Sequence, residues 1–70
     1  MPRKIRELEK DLRQAGFTVR PGKGSHRVWT HPLVPGRTTI SGKGGNDAQP
    51  YQEKEVQGKL EQLREAQEER

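Results

Sequence analysis

A chain of 70 residues with 14 Lys and Arg, 10 Asp and Glu, no cysteine and 26% apolar residues has room for one domain, 1–70, and one small core. Cores of that size leave only about 3–5 kcal/mol of net stability, so additional burial against a partner or a second copy would be significant. The lack of cysteine excludes a disulfide framework, a cysteine-ligated zinc site and a thiol nucleophile. No apolar run approaches the roughly 18 residues of a membrane span, and Met1 to Arg6 lacks a secretory apolar stretch, so no membrane association and a cytoplasmic location are expected.

The elements follow in chain order. Residues 2–15 have helical periodicity, with Ile5, Leu8, Leu12 and Ala15 on one apolar face, Pro2 in the first turn and Gly16 as the terminator. Phe17-Thr18-Val19-Arg20 alternates like a half-buried strand, with Phe17 and Val19 expected to point inward. After the turn residues Pro21 to Gly24, Ser25 to His31 reads as a second strand centred on Val28 and Trp29. A break over Pro32 to Gly36 precedes the β-branched run Arg37 to Ser41, the third strand. Gly42 to Asp47 has the composition of an irregular, mobile loop, with Asn46 or Asp47 leading into the next helix. In that helix Tyr51, Val56, Leu60 and Leu63 form the apolar stripe, weakened at Gly58, and 65–70 are expected to fray. The order αβββα predicts an α+β domain: a three-stranded antiparallel sheet with two helices on one face and the other face open, as in double-stranded-RNA-binding domains.

Charge is divided along the chain. Residues 1–45 carry ten Lys and Arg against three acids, a net +7, whereas residues 46–70 carry four against seven, a net −3. Clustered cations gain affinity for polyanions by releasing condensed counterions, which points the basic portion toward nucleic acid; a solvated basic surface is the competing reading.

The segment with most chemical content is Gly22-Lys23-Gly24-Ser25-His26-Arg27-Val28-Trp29, where a histidine stands at a turn-to-strand junction among cations and flexible backbone. An unperturbed histidine titrates near pH 6.5 and so can take a proton from a ribose 2′-hydroxyl or give one to a departing 5′-oxygen at neutral pH. Lys23 and Arg27 would stabilise the extra charge on a phosphodiester. The alternative is that His26 is only a polar turn residue. Strand alternation puts Trp29 under the helices and His26 on the open side, with His31 on the face opposite His26, which argues against a two-histidine metal site. Gly42-Lys43-Gly44-Gly45 lacks the spacing of a nucleotide-binding loop, leaving Lys43 as a candidate phosphate contact. Glu53, Glu55, Glu61 and Glu65 read as a solvated helical face.

Ala15-Gly16-Phe17, the basic turn, Gly24-Ser25-His26, an aromatic at Trp29 and His31-Pro32 together resemble the HicA toxin family, small mRNA interferases of toxin–antitoxin pairs, over most of the chain. It departs from a common family pattern after the third strand, where Ser41 to Asp47 replaces a Pro-x-His-like segment. The resemblance implies a double-stranded-RNA-binding-like fold and a metal-independent endoribonuclease acting on mRNA without a small-molecule cofactor. It also implies His26 as the catalytic residue, Gly24 and Ser25 as RNA-binding residues that position the strand, and a HicB-like antitoxin covering the site. Charge adds Lys23, Arg27, Arg37 and Lys43 as RNA contacts. A non-catalytic RNA-binding module, or a protein-interaction module using Val28 on the open face, are the alternatives.

Overall fold

The computed structural model describes residues 3–68. The elements run α1 (Ile5–Gln14), β1 (Thr18–Pro21), β2 (Arg27–His31), β3 (Val34–Ile40) and α2 (Pro50–Glu68), the αβββα order read from the sequence. The strands form one antiparallel sheet in the order β1-β2-β3. Among the described residues, no helix is long and apolar enough to cross a membrane.

Ile5, Leu8 and Leu12 line one side of α1 and are all buried, as their three- and four-residue spacing requires. At its end, Phe17 N–H donates to the Leu12 carbonyl at 3.0 Å and Gly16 N–H to the Arg13 carbonyl at 3.1 Å, the paired bonds of a Schellman cap. Gly16 has φ +96°, a conformation that costs an L-residue roughly 1–2 kcal/mol. The reversal drops Phe17 into the core beside Leu12. At the other end α1 begins at Ile5, and Met1 and Pro2, the latter expected in its first turn, lie outside the described residues.

The register pairs Val19 with Trp29 and Trp29 with Thr38, so these three share one sheet face, which the helices cover at Trp29 and Thr38. Val19 corrects the sequence reading: it points to the helix side but is 40% exposed, because β1 is the sheet edge beyond the reach of the helices. The opposite face, Thr18, Arg20, Val28, Thr30 and Thr39, has no layer over it among the described residues, and Val28 is half-buried there.

The third strand starts earlier than expected. His31 pairs with Val34 across Pro32-Leu33, and Pro35, Gly36 and Arg37 bulge opposite Thr30 before regular pairing resumes at Trp29 and Thr38. Proline is tolerated because β3 is an edge strand. The bulge adds an even number of residues, so Val34, Thr38 and Ile40 all still face the core. The Pro35 carbonyl accepts from Lys59 Nζ of α2 at 3.1 Å, tying helix to edge.

Gly42 to Asp47 is hydrogen-bonded rather than loose. Its Asn46 and Gly44 carbonyls accept from the Ile5 and Arg6 amides at 2.9 and 3.0 Å, satisfying two of the donors that a helix N-terminus leaves unpaired. Lys4 Nζ binds Asp47 Oδ1 at 2.6 Å across the same junction. Because the loop presents carbonyls inward, this arrangement is opposite to that of an anion-binding loop.

Entry to α2 falls at Gln49, not Asn46 or Asp47: Gln49 N–H donates to Gln52 Oε1 at 2.8 Å, and Pro50 occupies the first helical position. The buried stripe is Gln52, Val56 and Leu63, with Leu60 half-buried beside it. Tyr51 is 62% exposed, contrary to its expected place in that stripe. Gln52 sits inward instead, its amide also donating to the Ser41 carbonyl at 3.3 Å. The helix is continuous through Gly58 and runs to Glu68, covering most of the stretch expected to fray; residues 69 and 70 lie outside the described residues.

Among the described residues, two buried polar atoms in the core, Trp29 Nε1 and Thr38 Oγ1, have no hydrogen-bond partner. An unpaired buried hydroxyl costs about 1–3 kcal/mol, whereas an apolar group of the same shape avoids that cost. Thr38→Val is therefore expected to raise stability by about 1 kcal/mol, or about 4–8 °C in midpoint for a domain of this size, in a thermal melt. A lower midpoint would mean that the hydroxyl has a partner in solution.

Candidate active site

The β1–β2 connection is built by its own backbone. Gly22 N–H donates to the His26 carbonyl at 2.9 Å and His26 N–H to the Lys23 carbonyl at 3.0 Å, closing a tight turn in which Gly24 takes φ +59°. Only glycine adopts that conformation readily, which accounts for Gly24 immediately before Ser25 and His26. A side chain at Gly22 would come within 3.3 Å of His26 Cβ, so glycine there allows the imidazole to sit close over the turn.

The imidazole is exposed, and its Nδ1 lies 2.8 Å from the Lys23 carbonyl oxygen. A carbonyl oxygen can only accept, so Nδ1 must carry the proton. In the neutral ring this leaves Nε2 as the bare acceptor. The backbone of the turn thus selects one tautomer and one ring orientation without any carboxylate partner.

Arg27 fastens this turn to the rest of the domain. Its Nε donates to Glu9 Oε2 of α1, Nη1 to the Ser25 carbonyl at 3.1 Å and Nη2 to the Gly42 carbonyl at 2.8 Å. In return, Gly42 N–H donates to Ser25 Oγ at 3.2 Å. Glu9 and Arg27 are the less exposed of the ion pairs, with side-chain exposures of 14% and 29%. The planar guanidinium suits this role because it offers donors in several fixed directions at once.

The expected site residues therefore separate into groups. Lys23, Gly24, Ser25, His26 and Arg27 are together on one turn, and Lys43, also exposed, follows the Gly42 to which that turn is bound. Arg27 serves the scaffold, since its donors are directed to protein acceptors. Arg37 is not brought to this group: it lies in the β3 bulge, three residues from Ile40, the partner of Arg27, which is roughly 10 Å of strand. His31 is structural, its ring packed on Phe17 with centroids 5.1 Å apart and its Nδ1 accepting from Leu33 N–H at 3.0 Å.

Sequence reading missed Glu9 and Gly42, whose roles depend on contacts distant along the chain, and Tyr51. For Tyr51 a signal was present. Five residues separate it from Val56, a spacing that turns it well off the buried face at about 100° per residue, whereas Gln52 at four residues falls on it.

Truncating Arg27 removes several charge-assisted bonds and leaves the Glu9 carboxylate unpaired. Arg27→Ala is expected to lower stability by about 2–3 kcal/mol in urea denaturation and to shift the amide resonances of Ser25, His26 and Gly42 together. A change below about 0.5 kcal/mol, with those three resonances unmoved, would refute the tethering role.

No curated protein and no solved structure gives a significant match to the chain. A family model does, that of the HicA toxin of bacterial toxin–antitoxin systems, over residues 5–67. The matched span starts with α1, includes every strand and stops one residue short of the end of α2. The chain belongs to the HicA toxin family of toxin–antitoxin systems, and membership implies an antitoxin partner.

Proposed function

We propose that this toxin is a metal-independent endoribonuclease that cleaves mRNA, with His26 as its general acid–base. One observation carries the reading: the Lys23 carbonyl binds the Nδ1–H of an exposed imidazole, leaving Nε2 free to accept a proton. In the proposed step, Nε2 takes the proton of a ribose 2′-hydroxyl as the 2′-oxygen bonds to phosphorus. The P–O5′ bond breaks, and the 5′-oxygen takes a proton from water or from the imidazolium. The products are a 2′,3′-cyclic phosphate and a 5′-hydroxyl.

Lys23 and Lys43 lie exposed beside the turn, where they would hold phosphate and offset charge in the transition state. Gly24 and Ser25 act through His26, by shaping the turn and by binding Gly42. Arg37 would contact RNA only along the strand beyond the reacting phosphate. The cytoplasm is where such a substrate is met, and a HicB-like antitoxin would neutralise the toxin by covering His26.

His26→Ala is expected to reduce cleavage of a single-stranded RNA by about 100-fold or more, assayed in chelator, with the melting temperature unchanged because the ring is exposed. Undiminished cleavage by the variant would remove His26 from the mechanism. Salt-sensitive RNA binding by the intact toxin with no products would instead favour a non-catalytic RNA-binding module of the same fold.

A further inference from the structure

A groove of about 550 Å³ opens beside the turn, with Ser25, Ser41, Gly42, Asn46, Gln49 and Tyr51 in its lining. Its charge distribution is informative. Among the described residues, no Lys or Arg lines it, and the one ionised group in its lining is the Asp47 carboxylate, which is paired with Lys4. The lining thus offers phosphate no cationic side chain, while the lysines that suit phosphate, Lys23 and Lys43, stand outside it.

Tyr51 lies on the second residue of α2, and 62% of it is exposed; Phe17 and Trp29, by contrast, are buried. The ring is therefore available on a rigid element without contributing to the core. In the same lining, the side-chain amides of Asn46 and Gln49 have no hydrogen-bond partner among the described residues. An aromatic face with uncommitted amide donors and acceptors matches a nucleobase, which has a π-face and polar edges and carries no charge.

We propose that this groove takes an unpaired base of the RNA substrate, stacked on Tyr51, and so holds the adjoining phosphodiester at His26. Ser25 joins the two parts, since it lines the groove and precedes the imidazole. The inference rests on the ribonuclease reading and narrows the substrate to single-stranded RNA, because a base in a duplex is not free to enter. Stacking is tolerant of base identity, so Tyr51 would contribute affinity and placement rather than sequence choice.

The test uses the full chain with His26→Ala, to keep the RNA intact, and a fluorescein-labelled single-stranded RNA of mixed sequence followed by anisotropy. Adding Tyr51→Ala is expected to weaken binding roughly 5- to 100-fold, while Tyr51→Phe stays within about 3-fold because it keeps the ring. In the background with His26, Tyr51→Ala should raise KM by a similar factor. Equal affinity for Tyr51→Ala and its parent, or an equal loss in Tyr51→Phe, overturns the stacking site and leaves the ribonuclease reading standing. If the intact toxin neither binds nor cleaves the RNA, both fall.

Discussion

The candidate site depends on one guanidinium. Arg27 is the first residue of β2, and through it helix α1, the histidine turn and the glycine-rich loop are held as one body. The sheet alone would not do this, because the turn projects beyond the last paired residues, Pro21 and Arg27. A short hairpin tip would ordinarily be among the most mobile parts of a small domain. Here it is bound from below by Arg27 and from the side by Gly42, so that His26 combines exposure with a fixed orientation.

That arrangement also accounts for the loop between β3 and α2. The loop gives two carbonyls to the unpaired amides of α1 and a third, from Gly42, to Arg27, while the Gly42 amide goes to Ser25. Glycine eases the close approach of backbone here: a Cβ at Gly44 would lie 3.3 Å from Arg6 Cβ, a tight contact. The run of glycines thus joins the start of one helix to the site, and the groove beside Tyr51 forms where this loop meets the first turn of α2.

Much of this fold was legible in the sequence, and for identifiable reasons. Ile5, Leu8 and Leu12 repeat at helical spacing, Gly16 precedes Phe17 as a helix terminator should, and Trp29 lies inside as expected. Those are local signals. His26 is exposed, but in the turn before β2, which begins at Arg27 rather than at Ser25, so its exposure is not a matter of strand alternation. What was not legible depends on tertiary placement: Val19 alternates correctly yet is uncovered at an edge, and Pro35-Gly36 looked like a break but forms a bulge within β3. The Arg27 bonds to Glu9 and Gly42 span 18 and 15 residues, and no periodicity announces them. In the site, the family motif singled out His26, while its tautomer followed only from the 2.8 Å contact with the Lys23 carbonyl.

The basic portion of the chain, the open sheet face and the exposed imidazole lie on a domain with ten buried apolar residues among those described. The proposed chemistry requires the ribose 2′-hydroxyl, and nothing else in the step supplies the attacking oxygen. The most direct measurement is cleavage of an RNA carrying one 2′-deoxynucleotide on the 5′ side of a bond that the all-ribose strand shows to be cut. The expected result is that this bond alone survives, while neighbouring cuts still end in 2′,3′-cyclic phosphates. Scission at the deoxy position, or products ending in 3′-hydroxyls, would contradict it.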